Sequence, residues 1–177
     1  MRLQLVDLNE AFVSAWAAAF SQFPEVSIHH GDILAVAENC VVSPANSHGF
    51  MDGGVDSAYR DFFGERIEQK VQEAILRRPE GHLPVGASLV VRTDHPRVPY
   101  PIVAPTMTMP GVVEPRNCYR AMRALLRVAN EIADVGRNVF SPGRATGVGR
   151  VAPEAAALMM AEAYWDWKRS PALVIGH

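Results

Sequence analysis

The chain has 177 residues, the size of one domain, and its 49% hydrophobic and 20% charged content is that of an ordinary globular chain and argues against disorder. A formal net charge of −2 disfavours a general nucleic-acid binder, whose affinity comes from phosphate neutralisation by a basic surface. Cys40 and Cys118 are far apart and form no C-x-x-C pattern, so neither a zinc knuckle nor a redox pair is expected.

The N-terminal segment breaks its apolar run at Asp7 and Asn9, with no signal-peptide core, and no run reaches the roughly 20 apolar residues of a membrane span. A soluble, cytoplasmic protein without a membrane partner is the expectation. Leu3 to Val6 reads as a strand. Asn9 then offers an N-cap for a helix over Ala11–Phe20, ended by Pro24. Val26–His30 reads as a strand closed by Gly31 and Asp32, and Cys40–Ser43 as a buried strand stopped by Pro44. A loop rich in Gly, Ser and Asn runs from Asn46 through Gly54, followed by helices over Val55–Phe62 and Glu65–Arg77.

Ala87–Arg92 and Ile102–Ala104 read as strands joined by a connection carrying Pro96, Pro99 and Pro101. Cys118–Val135 has the spacing of a long amphipathic helix. Asn138–Ser141 reads as a strand feeding the segment Pro142–Arg150, and Pro153 suits the first turn of a last helix ending at Lys168. Leu173–Ile175 offers an edge strand. Strands alternating with helices imply an α/β layered fold with helices on both sheet faces, and no repeat or linker divides residues 1–177, so a single domain is expected.

Ligands of open α/β sheets bind beyond the carboxyl ends of strands. Two glycine-bearing loops leave strands in that way, Ser43 through Asp56 and Pro142 through Arg150. Glycines let the backbone approach a ligand, and a helix start beyond each loop would attract an anion. Together the two loops suggest a diphosphate held between them; the plain alternative is that the glycines only serve tight turns. There is no Gly-Lys-Ser/Thr of a phosphate-binding P-loop, and no G-x-G-x-x-G in the first βα unit, which argues against a nicotinamide dehydrogenase.

Ser43-Pro44-Ala45-Asn46-Ser47 followed by Gly53-Gly54-Val55-Asp56 resembles the macrodomain signature. Gly31-Asp32-Ile33, Pro84-Val85-Gly86 through Thr93, Ile102-Val103-Ala104-Pro105, Ala145-Thr146-Gly147-Val148-Gly149 and Pro153-Glu154-Ala155-Ala156 resemble further steps of that family in the right order, over roughly Ser27 to Trp167. The resemblance implies a three-layer α/β/α sandwich around a central mixed, mostly parallel sheet. It implies a site for ADP-ribose, with ADP-ribosylated protein or nucleic acid as partner and no cofactor or metal.

By that resemblance Asp32 accepts from the adenine amino group, with Ile33 beside the ring. Ala45, Gly53, Gly54, Val55, Pro105, Gly143, Arg144, Ala145, Thr146, Gly147, Val148 and Gly149 complete the ligand-binding set, with Thr146 through Gly149 donating N–H groups to the diphosphate. Asn46 is expected to hydrogen-bond the distal ribose and position a water that Asp56 orients or activates. The plain readings are a turn residue for Asn46 and a carboxylate favouring the helix dipole for Asp56. Arg144 and Arg150 flank the second loop and offer charge to the phosphates, against a plain reading as surface arginines.

The sequence departs from the family pattern at Ser43-Pro44 and at Met51-Asp52, which adds a carboxylate. It also has Gly149 where many hydrolases place an aromatic that closes over the ribose, a role for which Phe50 and Met107 are candidates. One branch of the family uses a lysine nucleophile, but Lys70 and Lys168 lie in neither loop. A metal shared by His29 and His30 is disfavoured because adjacent strand residues face opposite ways, and the aromatics of Tyr164, Trp165 and Trp167 suit core packing. The expectation is an ADP-ribosyl hydrolase acting by metal-independent water attack. The alternatives are a non-catalytic ADP-ribose reader, an ADP-ribose 1″-phosphate phosphatase and, outside the resemblance, a metal-dependent nucleotide-phosphate hydrolase.

Overall fold

Four consecutive residues with no exposed side chain, Cys40–Ser43, form the strand β3 around which the sheet is built. A strand buried on both faces needs apolar residues at every position, and this run supplies them up to Ser43. The computed structural model describes residues 1–170. The other strands are β1 (Leu3–Asp7), β2 (Ser27–His30), β4 (Leu89–Val90), β5 (Tyr100–Val103) and β6 (Val139–Ser141). They form one sheet in the order β2-β1-β6-β3-β5-β4, parallel throughout except for the antiparallel pair β4 and β5. The sheet is thus mixed and mostly parallel, as the resemblance implies.

Alternation along the strands sends side chains to two cores. Leu3, Leu5, Cys40, Val42, Ile102 and Val139 face one layer. That layer consists of α1 (Glu10–Ala19), α5 (Arg116–Glu131) and α7 (Pro153–Arg169), with Trp16, Leu125 and Met160 at its centre. Val6, Val41, Val103 and Phe140 face the other layer, where α3 (Gly54–Phe63) and α4 (Arg66–Leu76) contribute Tyr59, Ile67, Val71 and Ile75. Helices therefore cover both faces in a three-layer sandwich.

Several boundaries differ from the sequence reading. A single helical turn, α2 (Ile33–Val36), follows β2; Asp32 caps it by accepting from the Leu34 N–H at 2.8 Å. The long helix starts at Arg116 and ends at Glu131, because Ile132 adopts an extended ψ of 98° before the short turn α6 (Ala133–Gly136). β4 is shorter than expected, and the Ser88 hydroxyl donates to the Ala124 carbonyl at 2.8 Å just before it. β5 begins before Pro101 rather than after it. The proline carbonyl accepts from the Val91 N–H at 2.9 Å, a ladder role that needs no proline N–H. The expected strand at Leu173–Ile175 lies outside the described residues.

Leu125 is fully buried in the α5–α7 layer. Leu125→Ala should lower unfolding stability by about 2–5 kcal/mol, the range for a large-to-small core change, measured by denaturant unfolding. A loss under about 1 kcal/mol would show that the layer collapses around the gap.

Candidate functional site

A cavity of about 620 Å³ opens beyond the C-terminal ends of β1, β3 and β6, within the size range of small-molecule sites. Both predicted loops border it. Of the predicted residues, Asp32, Ile33, Asn46, Gly53, Gly54, Val55, Asp56, Gly143, Ala145, Thr146, Gly147, Val148 and Gly149 line it. Ala45, Pro105 and Arg144 do not. Ala45 is buried in the core on the α3 side of the sheet, and Arg144 is a fully buried side chain rather than a surface arginine. Phe50, Met107 and Asp52 also line the cavity.

The first loop is shaped by Asn46. Its Oδ1 accepts from the N–H groups of His48 at 3.0 Å and Phe50 at 3.3 Å, and its Nδ2 donates to the Phe50 carbonyl at 3.0 Å. Both oxygen lone pairs are thus committed to the loop's own backbone, leaving one amide hydrogen free. A bridge from Asn46 to Met107, with the Ser47 N–H donating to the Met107 carbonyl at 2.9 Å, ties the loop to the segment after β5.

The second loop closes on itself. Ala145 and Arg150 take φ of 57° and 53°, in the left-handed region, and the Val151 N–H returns to the Ala145 carbonyl at 3.0 Å. Helix α7 starts only at Pro153, so this loop does not end on a helix N-terminus as the sequence suggested. Its donors are its own. Among the described residues, the N–H groups of Thr146, Gly147, Val148 and Gly149 donate to no protein acceptor. Gly54, Val55 and Asp56 form the first turn of α3, whose N–H groups have no intrahelical partner. Gly149 has no room for an aromatic: a Cβ there would sit 2.5 Å from the Ala145 carbonyl oxygen. Phe50, half-exposed at the cavity wall, is the aromatic available instead.

Asp56 is 7% exposed, and its Oδ1 accepts from the Ser43 hydroxyl at 2.6 Å. Burial pushes its carboxyl up to about 7 from the ordinary 3.8, against the smaller opposing pull of the Ser43 hydrogen bond. A carboxyl of that kind can exchange a proton with a water at neutral pH. Asp32 spends one oxygen on the α2 cap and is exposed, which leaves its other oxygen for an external donor.

Asp7 was not singled out in the sequence. It ends β1, lines the cavity, and its Oδ2 accepts from the Gly143 N–H at 2.8 Å. A Cβ at Gly143 would lie 2.6 Å from that oxygen, so the second loop depends on glycine there. The position of Asp7 at a strand's carboxyl end was the available signal. Ser43, the partner of Asp56, and Thr106, which lines the cavity, were missed as well.

The other candidates lie elsewhere. Lys70 and Lys168 pair with Asp94 and Glu25. His29 and His30 are engaged by Gln4 and the Leu8 carbonyl, and among the described residues no three His, Cys, Asp or Glu side chains cluster as metal ligands. Cys118 is fully buried and its thiol is pushed up to about 11 by that burial. Tyr164 packs against Phe20 and Phe23, away from the cavity. No helix among the described residues is long and apolar enough to cross a membrane.

A mostly parallel three-layer sandwich with unpartnered backbone donors from two loops bordering one cavity defines an α/β protein with its site at the strand ends. The chain belongs to the macro domain family, whose model matches residues 42–160. It is similar to an uncharacterized protein of Aquifex aeolicus (strain VF5), 34% identical over 139 residues that cover 78% of this chain and 79% of the relative. Among solved structures it resembles the macrodomain of Mycobacterium tuberculosis DarG, with a TM-score of 0.65 and 20% identity over 77% of this chain and 87% of that one. A variant of the Oceanobacillus iheyensis macrodomain, solved with ADPR, gives a TM-score of 0.65 and 20% identity over 77% and 74% of the two chains.

Burial of the Asp56 carboxyl makes stability depend on pH. Between about 3.8 and about 7 the folded protein holds a proton that the unfolded chain has released, so stability is fullest at the acid end and falls as pH rises through that window. Asp56→Asn, neutral throughout, should lack this fall in denaturant titrations at a series of pH values. A wild-type-to-variant difference that stays constant with pH would mean that Asp56 is ionised in the folded protein.

Proposed function

We propose that the cavity binds ADP-ribose and that the chain hydrolyses ADP-ribosyl linkages by metal-independent attack of water. The observation that carries the binding half is the convergence of unpartnered N–H groups from Thr146–Gly149 and the α3 start on one cavity, which suits a diphosphate. A structural neighbour of the same fold was solved with ADPR. In this reading the free oxygen of Asp32 accepts from the adenine amino group, Ile33 packs beside the ring, and Phe50 with Met107 borders the distal ribose.

Asp56 carries the catalytic half as general base. With its carboxyl near neutrality it takes a proton from a water that attacks the ribose anomeric carbon, where the bond to the modified carboxylate or nucleobase breaks and that group leaves with the electron pair, or that attacks the carbonyl of an ester on that ribose, where the acyl C–O bond breaks and the ribose oxygen leaves with the proton. Ser43 holds the carboxylate in place. The remaining amide hydrogen of Asn46 orients the water or the ribose. The modified partner is an ADP-ribosylated protein or nucleic acid. A non-catalytic reader is the second reading, favoured by the commitment of the Asn46 carboxamide to its own loop.

Release of ADP-ribose from an auto-ADP-ribosylated protein, measured with and without chelator beside calorimetric binding of free ADP-ribose, separates the two. The hydrolase gives chelator-insensitive release with a rate that rises with pH through a midpoint near 7. Asp56→Ala and Asn46→Ala lower turnover by at least tenfold, and lower it more than they lower affinity. Binding without release makes the protein a reader. Asp32→Ala should weaken ADP-ribose binding by about tenfold, the cost of a lost hydrogen bond from the base to a charged carboxylate; unchanged affinity would remove the adenine contact.

A further inference from the structure

The cavity contains an electrostatic contradiction. Four carboxylates, Asp7, Asp32, Asp52 and Asp56, line it, and among the described lining residues there is no Lys, Arg or His. A diphosphate placed there meets backbone donors but no basic side chain. The missing positive charge lies one layer deeper.

Arg144 is fully buried. Its Nη2 donates to Ser141 Oγ at 3.1 Å and its Nη1 to the Ala104 carbonyl at 3.5 Å, while Nε has no partner. Among the described residues no carboxylate pairs with it. Ser141 ends β6 and Ala104 follows β5, and β3 lies between those strands in the sheet. A guanidinium reaching from one to the other therefore crosses the C-terminal end of β3. The residues that continue these strands, among them Pro44, Thr106 and Gly143, line the cavity. Arg144 itself does not line the cavity, but both of its chain neighbours, Gly143 and Ala145, do, so the buried charge belongs to the layer behind that wall. Burial lowers its pKa to about 10, which still leaves it protonated at neutral pH. A buried charge without a counter-ion is costly to the empty protein, and an apolar residue would fill the same volume without that cost.

We propose that Arg144 is the counter-charge of the ligand's diphosphate, acting through that wall without touching the ligand; this rests on the ADP-ribose reading of the cavity. Among the described residues the fold gives the cation no carboxylate partner, and a bound diphosphate supplies the negative charge. Because the space between is protein rather than solvent, salt screens the attraction weakly.

The test is calorimetric titration of the whole chain with three probes: ADP-ribose, inorganic pyrophosphate and adenosine. Wild type is compared with Arg144→Met and Arg144→Lys. Arg144→Met should bind both anionic probes about tenfold more weakly, with adenosine unchanged within about twofold, while Arg144→Lys retains most of the anion affinity. The tenfold gap should persist at high salt, and the empty Arg144→Met protein should melt no lower than wild type. Equal weakening for adenosine and the anions would reduce Arg144 to a structural role, and unchanged pyrophosphate binding would overturn the proposal outright. If wild type takes pyrophosphate but not ADP-ribose, the ADP-ribose reading falls and the pyrophosphate comparison still decides for Arg144. If it takes neither, both fall. Should Arg144→Met not fold, Arg144→Gln, which keeps a donor for Ser141, carries the same comparison.

Discussion

Ser43 donates to Asp56 across a buried 2.6 Å contact, and much of the site depends on that bond. Ser43 is the last residue of β3, the strand enclosed by β6 and β5, so its position is set by the sheet. Asp56 stands in the first turn of α3. The bond therefore holds the start of α3 against the end of β3 and fixes the entry of the first loop into the helix. One turn further on, the Tyr59 hydroxyl donates to the Val42 carbonyl at 3.2 Å and repeats the attachment. The free N–H groups of the α3 start are aimed by this two-point attachment rather than by a side-chain cap, since Gly53 at the N-cap offers none.

Burial at that attachment, rather than the bond itself, gives Asp56 its chemistry. An exposed carboxylate at a helix start would be a dipole-favoured anion of ordinary acidity. Here burial outweighs the hydrogen bond from Ser43, and the carboxyl moves up to about 7. The fold thus spends stability above the acid range to hold a group that can carry a proton at neutral pH, as perturbed groups at functional sites commonly do. Asn46 shows the opposite allocation. Its carboxamide organises the loop first, through contacts to His48 and Phe50, and keeps a single hydrogen for anything outside.

Much of this was legible in the sequence. The unbroken apolar run Cys40–Ser43 has the mark of a strand buried on both faces, and its bounds match β3. Asn9 caps α1 as its position suggested, accepting from the Ala11 N–H at 3.0 Å. Thirteen of the residues assigned to the site line one cavity, although they come from three separate segments of the chain. What stayed hidden depended on tertiary context. Arg144 in a glycine-rich loop reads as a surface cation, because nothing local says that its side chain turns inward beneath the strand ends. Asp7 reads as a break in an apolar run, because its partner Gly143 lies 136 residues away. Pro101 reads as a connector, because a ladder position that uses only the carbonyl is invisible without the neighbouring strand.

The distribution of charge also orients whatever the cavity takes. Asp7, Asp32 and Asp52 disfavour an anion beside them, and the backbone donors of Thr146–Gly149 and the α3 start favour one between the two loops. Backbone dipoles are fixed by the loop's own hydrogen bonds, such as Val151 to Ala145, so they cannot swing toward a misplaced phosphate as a lysine would. A ligand with a diphosphate at its centre and an amino-bearing base at one end matches this field in one direction. In the proposed reading its anion lies between the loops, and its donor faces the exposed oxygen of Asp32. The reversed ligand would bring the distal ribose hydroxyls to Asp32 and the base against the buried carboxyl of Asp56, a group held near neutrality at the end where proton transfer is proposed. The proposed binding direction and the proposed catalytic placement therefore share one electrostatic origin: donors are concentrated between the two loops, and the carboxyl groups differ in how far water reaches them.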